Sequence, residues 1–545
     1  MILTKLSEPT FEYDVRGLLT SFYPGEEIRF LFGETDEDRT AAADAPGASD
    51  NAGIPDDAGA RLTLKIRCDI AAGEGRILLA ETGAETALVS EIAALPGDRQ
   101  SLKRGLKRHL YYVLSEHTGR ELPWGTLTGI RPTNIVLKML EEGASGADCG
   151  EEMRETYLVG EEKTALSLEI ASLEHEILDG LGIYGSAGTG TAESMGAAED
   201  ADPAGAEGDA LVPYWSLYAG IPFCPTRCLY CSFASNPIDA WKGRIDRYLE
   251  ALEREMDTVA EIFEEDAYTE SRTLHTVYIG GGTPTSLSAD ELARLLDSLE
   301  RRFRITDRLA AGTLREFCVE AGRPDTVTAE KMRVLKDHGV TRISINPQSM
   351  KQRTLDLIGR RHTVEQVREA FLLARAEGFG HINMDIILGL PEETAEDVRR
   401  TCEEIAALGP EALTVHSLAL KRASKLNLEE ANRGYVPASV TDTEEMMRAA
   451  ESIARGAGMR PYYLYRQKNM AGNLENVGFA KPGFEGIYNI LMMEEKENIA
   501  AIGAGTISKA VSKSGKIERT DNVKDPALYL ERLDEMTERK KRLFT

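Results

Sequence analysis

The chain has 545 residues, 42% of them hydrophobic, and a formal net charge of −26 at pH 7. That length calls for roughly two to four domains. The acidic excess excludes general nucleic-acid binding, which depends on Lys and Arg neutralising phosphates, and no apolar run reaches membrane-spanning length.

Residues 1–34 and 61–92 alternate apolar and polar side chains, as in Arg61-Leu-Thr-Leu-Lys-Ile-Arg, and read as a small set of strands. Between them, 35–60 is rich in Ala, Gly, Asp and Glu and has scarcely any large apolar side chain, so it reads as a disordered insertion. Helical spacing follows from about Asp98 to Glu116 and from Asn134 to Glu142. The expectation is an N-terminal α+β domain over 1–180. A second acidic, Gly/Ala-rich stretch, 185–210, reads as a flexible linker.

From Leu211 the pattern changes to alternating strands and helices. Apolar runs stand at Trp215–Ala219, Thr276–Ile279, Glu316–Ala321, Arg342–Asn346, Ile382–Leu388 and Leu413–Leu420, with amphipathic stretches between them. This pattern predicts an α/β fold with a parallel sheet. Six units are too few for a closed eight-stranded barrel, so an open, partial barrel is expected over 211–425. Beyond it, Asp442–Gly456 reads as a helix and Pro461–Arg466 as a strand. A C-terminal α/β segment over 426–545, ending in a charged helix, is expected to cover the barrel's open side and the substrate.

The chemistry-bearing residues fall at the C-terminal ends of these strands, where parallel α/β folds bind ligands. After the first strand comes Cys224-Pro-Thr-Arg-Cys228-Leu-Tyr-Cys231. Three thiolates at this spacing can hold three corners of an iron–sulfur cube and leave one iron without a protein ligand. A structural zinc site wants four ligands, and no His or fourth Cys lies near the loop. Seven cysteines, an odd number, with no secretory pattern at the N-terminus argue against a disulfide framework and for a reducing, cytoplasmic location. Burial as apolar side chains suits the scattered Cys68, Cys149, Cys318 and Cys402, and not a Pro-containing loop. Gly280-Gly-Gly-Thr283 follows the second strand, where bare backbone can approach a small ligand closely; alone it would be a tight turn. Glu320 ends the third strand, Gln348 follows the fourth, and Asp385 lies in the fifth. Each taken singly is ordinary; their common position at strand ends indicates one shared site.

These residues together resemble the radical S-adenosylmethionine (SAM) enzymes. The longer string resembles the oxygen-independent coproporphyrinogen III oxidase group, and within it the HemZ-type dehydrogenases. It comprises Tyr218, Ile221-Pro-Phe, Gly280-Gly-Gly-Thr-Pro-Thr, Val319-Glu-Ala-Gly-Arg-Pro-Asp, Gln348-Ser, Asn383-Met-Asp-Ile-Ile-Leu-Gly-Leu-Pro, His416-Ser-Leu-Ala-Leu-Lys-Arg-Ala-Ser and Tyr465-Arg-Gln-Lys-Asn. The resemblance implies a partial (βα)6 TIM-like radical SAM barrel. It implies a 4Fe-4S cluster on Cys224, Cys228 and Cys231, and SAM against Tyr218, Tyr230, Gly282, Thr283, Glu320, Gln348, Arg360, Asp385 and Ala419. It also implies an oxidoreductase that decarboxylates two propionates of coproporphyrinogen III to vinyl groups, giving protoporphyrinogen IX in anaerobic haem biosynthesis, with an electron donor such as flavodoxin or ferredoxin. Lys421, Arg422 and Arg466 are candidates for propionate contacts. The decarboxylating branch carries a further Cys where this chain has Phe233; the haem-chaperone branch (HemW type) also has Phe there. A haem carrier that keeps the cluster is therefore the alternative, and a radical methyltransferase or cyclopropanase a third.

Overall fold

The computed structural model describes residues 1–33, 60–82, 84, 86–129, 131–184, 210–231, 235–264, 272–418, 440–466 and 474–545. The expected insertion and linker therefore lie, but for their last residues, outside the described residues. The chain forms two compact units: Met1–Leu168 with Arg466–Leu474, and Glu169–Tyr465 with Glu475–Thr545.

The smaller unit is built on β1 (Ile2–Leu6), α1 (Glu12–Phe22), β2 (Ile28–Phe32), β3 (Leu62–Asp69), β4 (Glu74–Glu81), β5 (Leu88–Ala93) and α2 (Arg99–Thr118). Its strands run in the order β2-β1-β3-β4-β5. β1 is parallel to both neighbours, and β3, β4 and β5 form an antiparallel meander. Leu62, Leu64 and Ile66 alternate along β3 and share a core with Leu18, Leu19, Leu102 and Leu106. Asp98 caps α2 by accepting from the amides of Gln100 and Ser101. The strand reading of residues 1–34 missed α1. Val15, Leu18, Leu19 and Phe22 are buried at helical spacing, so the segment packs one face and exposes the other. Three further helices follow: α3 (Thr133–Glu141), α4 (Gly146–Glu155) and α5 (Glu161–Gly180), the last continuing into the larger unit.

The larger unit opens with β6 (Tyr214–Ile221), the short β7 (Phe223–Cys224) and β8 (Asn236–Pro237), and α6 (Ile245–Phe263). Next come β9 (Thr273–Gly281), α7 (Ala289–Phe303), α8 (Ile305–Ala311), β10 (Glu316–Glu320), α9 (Ala329–Asp337) and β11 (Arg342–Ser344). They are followed by α10 (Gln352–Leu357), α11 (Val364–Ala376), β12 (Ile382–Leu388), α12 (Ala395–Leu408) and β13 (Ala412–Ser417). The rest is α13 (Val440–Gly456), β14 (Arg460–Tyr465), β15 (Asn476–Ala480), α14 (Ile487–Glu494), β16 (Asn498–Ile502), β17 (Ile507–Val511), β18 (Ile517–Asp521), α15 (Pro526–Glu531) and α16 (Leu533–Phe544). The six expected strands are β6, β9, β10, β11, β12 and β13, adjacent in that order and all parallel. The intervening helices start where local chemistry dictates: Ser288 with Glu291, Thr363 with Gln366 and Thr394 with Asp397 form reciprocal caps on α7, α11 and α12.

Among the described residues the sheet has eleven strands, ordered β14-β15-β13-β12-β11-β10-β9-β6-β16-β17-β18, and stays open. β16 is a seventh parallel strand, beside β6, and it departs from the expected six. Its docking has a polar cause. Glu497, fully buried, accepts from the Ser216 hydroxyl and pairs with His275 Nδ1 at 2.9 Å, and Ser216 bonds Thr276 at 2.6 Å. A buried carboxylate needs such partners, and here they stand on β6 and β9. Within the segment expected to cover the barrel, residues 498–521 widen the sheet beside β6. A second buried network fixes the C-terminus: Lys540 Nζ reaches Glu255 Oε1 at 2.5 Å, and Asn522 and the Gly503 amide donate to the same carboxylate.

Candidate active site at the strand ends

The cysteine loop leaves β6 and is stitched at once to the glycine run leaving β9. The Gly282 amide donates to Ile221 O and the Thr283 amide to Phe223 O, both at 2.7 Å. The approach is closer than any side chain would allow. A Cβ on Gly282 would stand 2.6 Å from Phe223 O and 2.9 Å from Phe223 N, and one on Gly280 would stand 3.2 Å from Glu320 Oε1. Thr283 Oγ1 lies 3.4 Å from Cys224 Sγ. Burial pushes the Cys224 thiol up to about 11; the bond from Thr283 and the charge of Arg323 oppose the shift, and the neighbouring Cys231 and Cys228 add to it. The three thiols thus share one electrostatic environment.

Arg360 bolts the loop from the other side. It is buried, and its guanidinium donates to the Tyr230 hydroxyl at 2.9 Å, Gly322 O at 2.7 Å and Asn346 O at 2.8 Å. Three segments are thereby held together: the cysteine loop and the chain just beyond β10 and β11. The Tyr230 ring packs against Leu355, Ile358, Ile387 and Leu390, and the Leu229 amide donates to Ile358 O.

The carboxylates lie on adjacent strands. Glu320 accepts from the Tyr278 hydroxyl at 2.7 Å, and Tyr278 stacks with both Tyr218 and Tyr488. Burial pushes the Glu320 carboxyl up to about 7; the Tyr278 bond resists the shift and the nearby Asp385 charge adds to it. Burial alone would raise Asp385 as well. There the hydrogen bond and charge of His416, with bonds from Asn383 and Thr414, outweigh it, and the carboxyl falls below its ordinary range. Gln348 takes a left-handed backbone conformation, φ 67°; its amide donates to Asp385 O and its carbonyl accepts from Ile387 N. That contact extends β11 alongside β12.

Of the cluster and SAM residues expected from sequence, those in the described structure stand at or just beyond the C-terminal ends of the parallel strands. Ala419, Lys421, Arg422 and Phe233 lie outside the described residues. Arg466 is buried in the smaller unit, where it donates to Leu127 O at 2.7 Å and lies over the Trp124 ring. Sequence reasoning assigned no role to Arg323, Tyr278, Tyr488 or His416. Arg323 stood within a quoted motif, but nothing in the motif says that its side chain turns back onto the cysteine loop.

The arrangement fits the implied cofactors. Gln348 Oε1, Asn346 Oδ1 and Arg360 Nε are buried at this end without a hydrogen-bond partner, two acceptors and one donor, as a ligand bearing an ammonium and a carboxylate requires. Among the described residues no three His, Cys, Asp or Glu side chains converge on a single ion. A four-iron cube spreads its cysteine sulfurs over separate irons, so convergence on one point is not what it demands.

The profile of the Radical SAM superfamily matches residues 218–405. The chain is 40% identical over 448 residues to the oxygen-independent coproporphyrinogen-III oxidase-like protein HemZ of Bacillus subtilis, covering 81% of this chain and 82% of that protein. It is 34% identical over 292 residues to the heme chaperone HemW of the same organism, covering 53% of this chain and 69% of that protein. Among solved structures, the coproporphyrinogen III oxidase HemN of Escherichia coli superposes with a TM-score of 0.48 at 22% identity, covering 60% of this chain and 71% of that one.

Proposed function

The chain belongs to the radical SAM superfamily, in the HemZ-type group of oxygen-independent coproporphyrinogen-III oxidase-like proteins, and its cofactors are a 4Fe-4S cluster and SAM. From that premise we propose that it oxidatively decarboxylates two propionates of coproporphyrinogen III to vinyl groups, giving protoporphyrinogen IX in a cytoplasmic, anaerobic haem-synthesis step. The similarity to HemZ across four-fifths of both chains carries the reading.

Bound at this site, the two cofactors would supply the one-electron chemistry needed to take a hydrogen atom from a substrate C–H bond. The protein's work is to hold and to aim. Cys224, Cys228 and Cys231 would ligate three irons. Gly282 and Thr283 would offer backbone to the aminoacyl end of SAM. Glu320, Gln348 and Asp385 would take its polar groups, and Tyr218 and Tyr230 would flank it. Ala419 belongs to the same proposed set. Arg360 holds Tyr230 and two strand ends, so the loop is fixed before any ligand binds. Glu320 and Asp385 differ in proton affinity, so at neutral pH one can retain a proton while the other is ionised. Lys421 and Arg422 remain candidates for the substrate's carboxylates, and the C-terminal segment a candidate cover for the substrate. An external donor such as flavodoxin or ferredoxin would deliver the electron that primes the cluster, and a one-electron acceptor would take the electron left on the substrate as each carboxylate departs as carbon dioxide.

The test is turnover: protein reconstituted without oxygen, given SAM, reductant, coproporphyrinogen III and a one-electron acceptor, should release carbon dioxide and form protoporphyrinogen. SAM cleavage with intact porphyrinogen, together with stable haem binding, would refute the decarboxylase reading. The similarity to HemW makes a haem carrier the second reading.

A further inference from the structure

Arg323 is placed as if for a cluster ligand rather than for substrate. It follows β10 by three residues and is buried. Its backbone is pinned, since Arg323 O accepts from the Thr326 amide at 2.9 Å and the Thr326 hydroxyl at 2.7 Å. Thr326 in turn bonds Thr285, on the segment that follows the glycine run. One edge of the guanidinium, Nε and Nη2, forms a paired contact with the two oxygens of Asp325, each at 2.9 Å. The other nitrogen, Nη1, turns to the cysteine loop, 3.1 Å from Thr226 Oγ1, 3.3 Å from Thr226 O and 3.9 Å from Cys228 Sγ. The cation therefore stands between a carboxylate and a cysteine sulfur, with its positive edge on the sulfur. The Asp325 side chain is 22% exposed against 4% for Arg323, so solvent screens the anion more than the cation.

Adding an electron to an iron–sulfur cluster adds negative charge. Hydrogen bonds to its sulfurs and nearby cations stabilise that state and raise the potential; nearby anions lower it. We infer that Arg323, through its N–H···S contact with Cys228 and its charge, sets the reduction potential of the cluster, with Asp325 as the counterweight. This rests on the cysteines holding the cluster, as proposed above, and is independent of which substrate is used.

The pair permits a test with opposite signs. Full-length protein is reconstituted anaerobically as the parent and as Arg323→Gln, Arg323→Lys and Asp325→Asn. Each is titrated with dithionite while the reduced cluster is followed by electron paramagnetic resonance. Arg323→Gln should shift the midpoint more negative, Asp325→Asn less negative, and Arg323→Lys should fall between the parent and Arg323→Gln. Shifts of the same sign in Arg323→Gln and Asp325→Asn, or no shift in either, overturn the inference. If Arg323→Gln loads no iron, Asp325→Asn decides alone: a less negative midpoint supports the inference, and an unchanged or more negative one overturns it. A parent that takes up no cluster removes the cofactor assignment and this inference together. A parent that takes up a cluster indifferent to both substitutions removes only the inference.

Discussion

Gly282→Ala tests how the site is built. No left-handed backbone is required at this position, so the substitution acts through space alone. The new Cβ would meet Phe223 O at 2.6 Å, while ordinary contact begins at 3.4 Å, so the two backbones must part by roughly 0.8 Å. That separation stretches the bonds from Gly282 N to Ile221 O and from Thr283 N to Phe223 O beyond useful length. Overpacking costs about 1–3 kcal/mol, and the two lost hydrogen bonds add about 1 kcal/mol each. The loss is taken either as reduced stability of the larger unit or as detachment of the loop carrying Cys224. Urea denaturation of the apo-protein reads the first, and iron and sulfide uptake on anaerobic reconstitution reads the second. Gly280→Ala is the contrast, because its Cβ meets the side chains of Tyr278 and Glu320 rather than the loop backbone; it should disturb Glu320 and keep the iron. Parental stability together with parental iron uptake in Gly282→Ala would refute the reasoning.

Three other outcomes are expected. The Glu320 carboxyl titrates near 7 in the fold against an ordinary 4.5, so its contribution is most favourable below about pH 4.5 and is lost as pH rises toward 7. Thermal melts of Glu320→Gln and the parent should therefore differ increasingly in favour of the variant from pH 5 to pH 7.5, on the order of that window; a constant difference would contradict the cause given. Lys540→Met strands the fully buried Glu255 carboxylate without its cation and should cost about 3–5 kcal/mol in denaturant unfolding, partly restored by adding Glu255→Gln. A cost below about 1 kcal/mol would mean that this network does not hold the C-terminus. Arg360→Met removes the donor shared by Tyr230, Gly322 and Asn346. Amide exchange around Cys228–Cys231 should quicken markedly, and unchanged exchange would show that the loop is held by its other contacts.

The parts of the fold legible in the sequence are those whose cause is local. The six parallel strands announce themselves as apolar runs, and the cysteine and glycine motifs carry their chemistry within a few residues. Their meeting at one sheet end follows from the topology of parallel strands. What escaped has a distant cause. β16 is a five-residue run, Asn498–Ile502, whose place is set by Glu497 reaching Ser216 and His275 more than two hundred residues earlier. The stack of Tyr218, Tyr278 and Tyr488 joins three remote segments. Arg323 has no assigned role in the sequence and Arg360 only that of a SAM contact implied by resemblance; their acceptors, Cys228 and Thr226 for one and Tyr230 for the other, reveal that both act on the cysteine loop.

The most direct measurement is the spectrum of anaerobically reconstituted protein before and after SAM is added. A cluster held at three irons should form in the parent and be lost when Cys224, Cys228 or Cys231 is replaced by Ala, and SAM should alter its electron paramagnetic resonance signal by binding the fourth iron. A parent that takes up no iron and sulfide, or a cluster whose signal ignores SAM, would contradict the account.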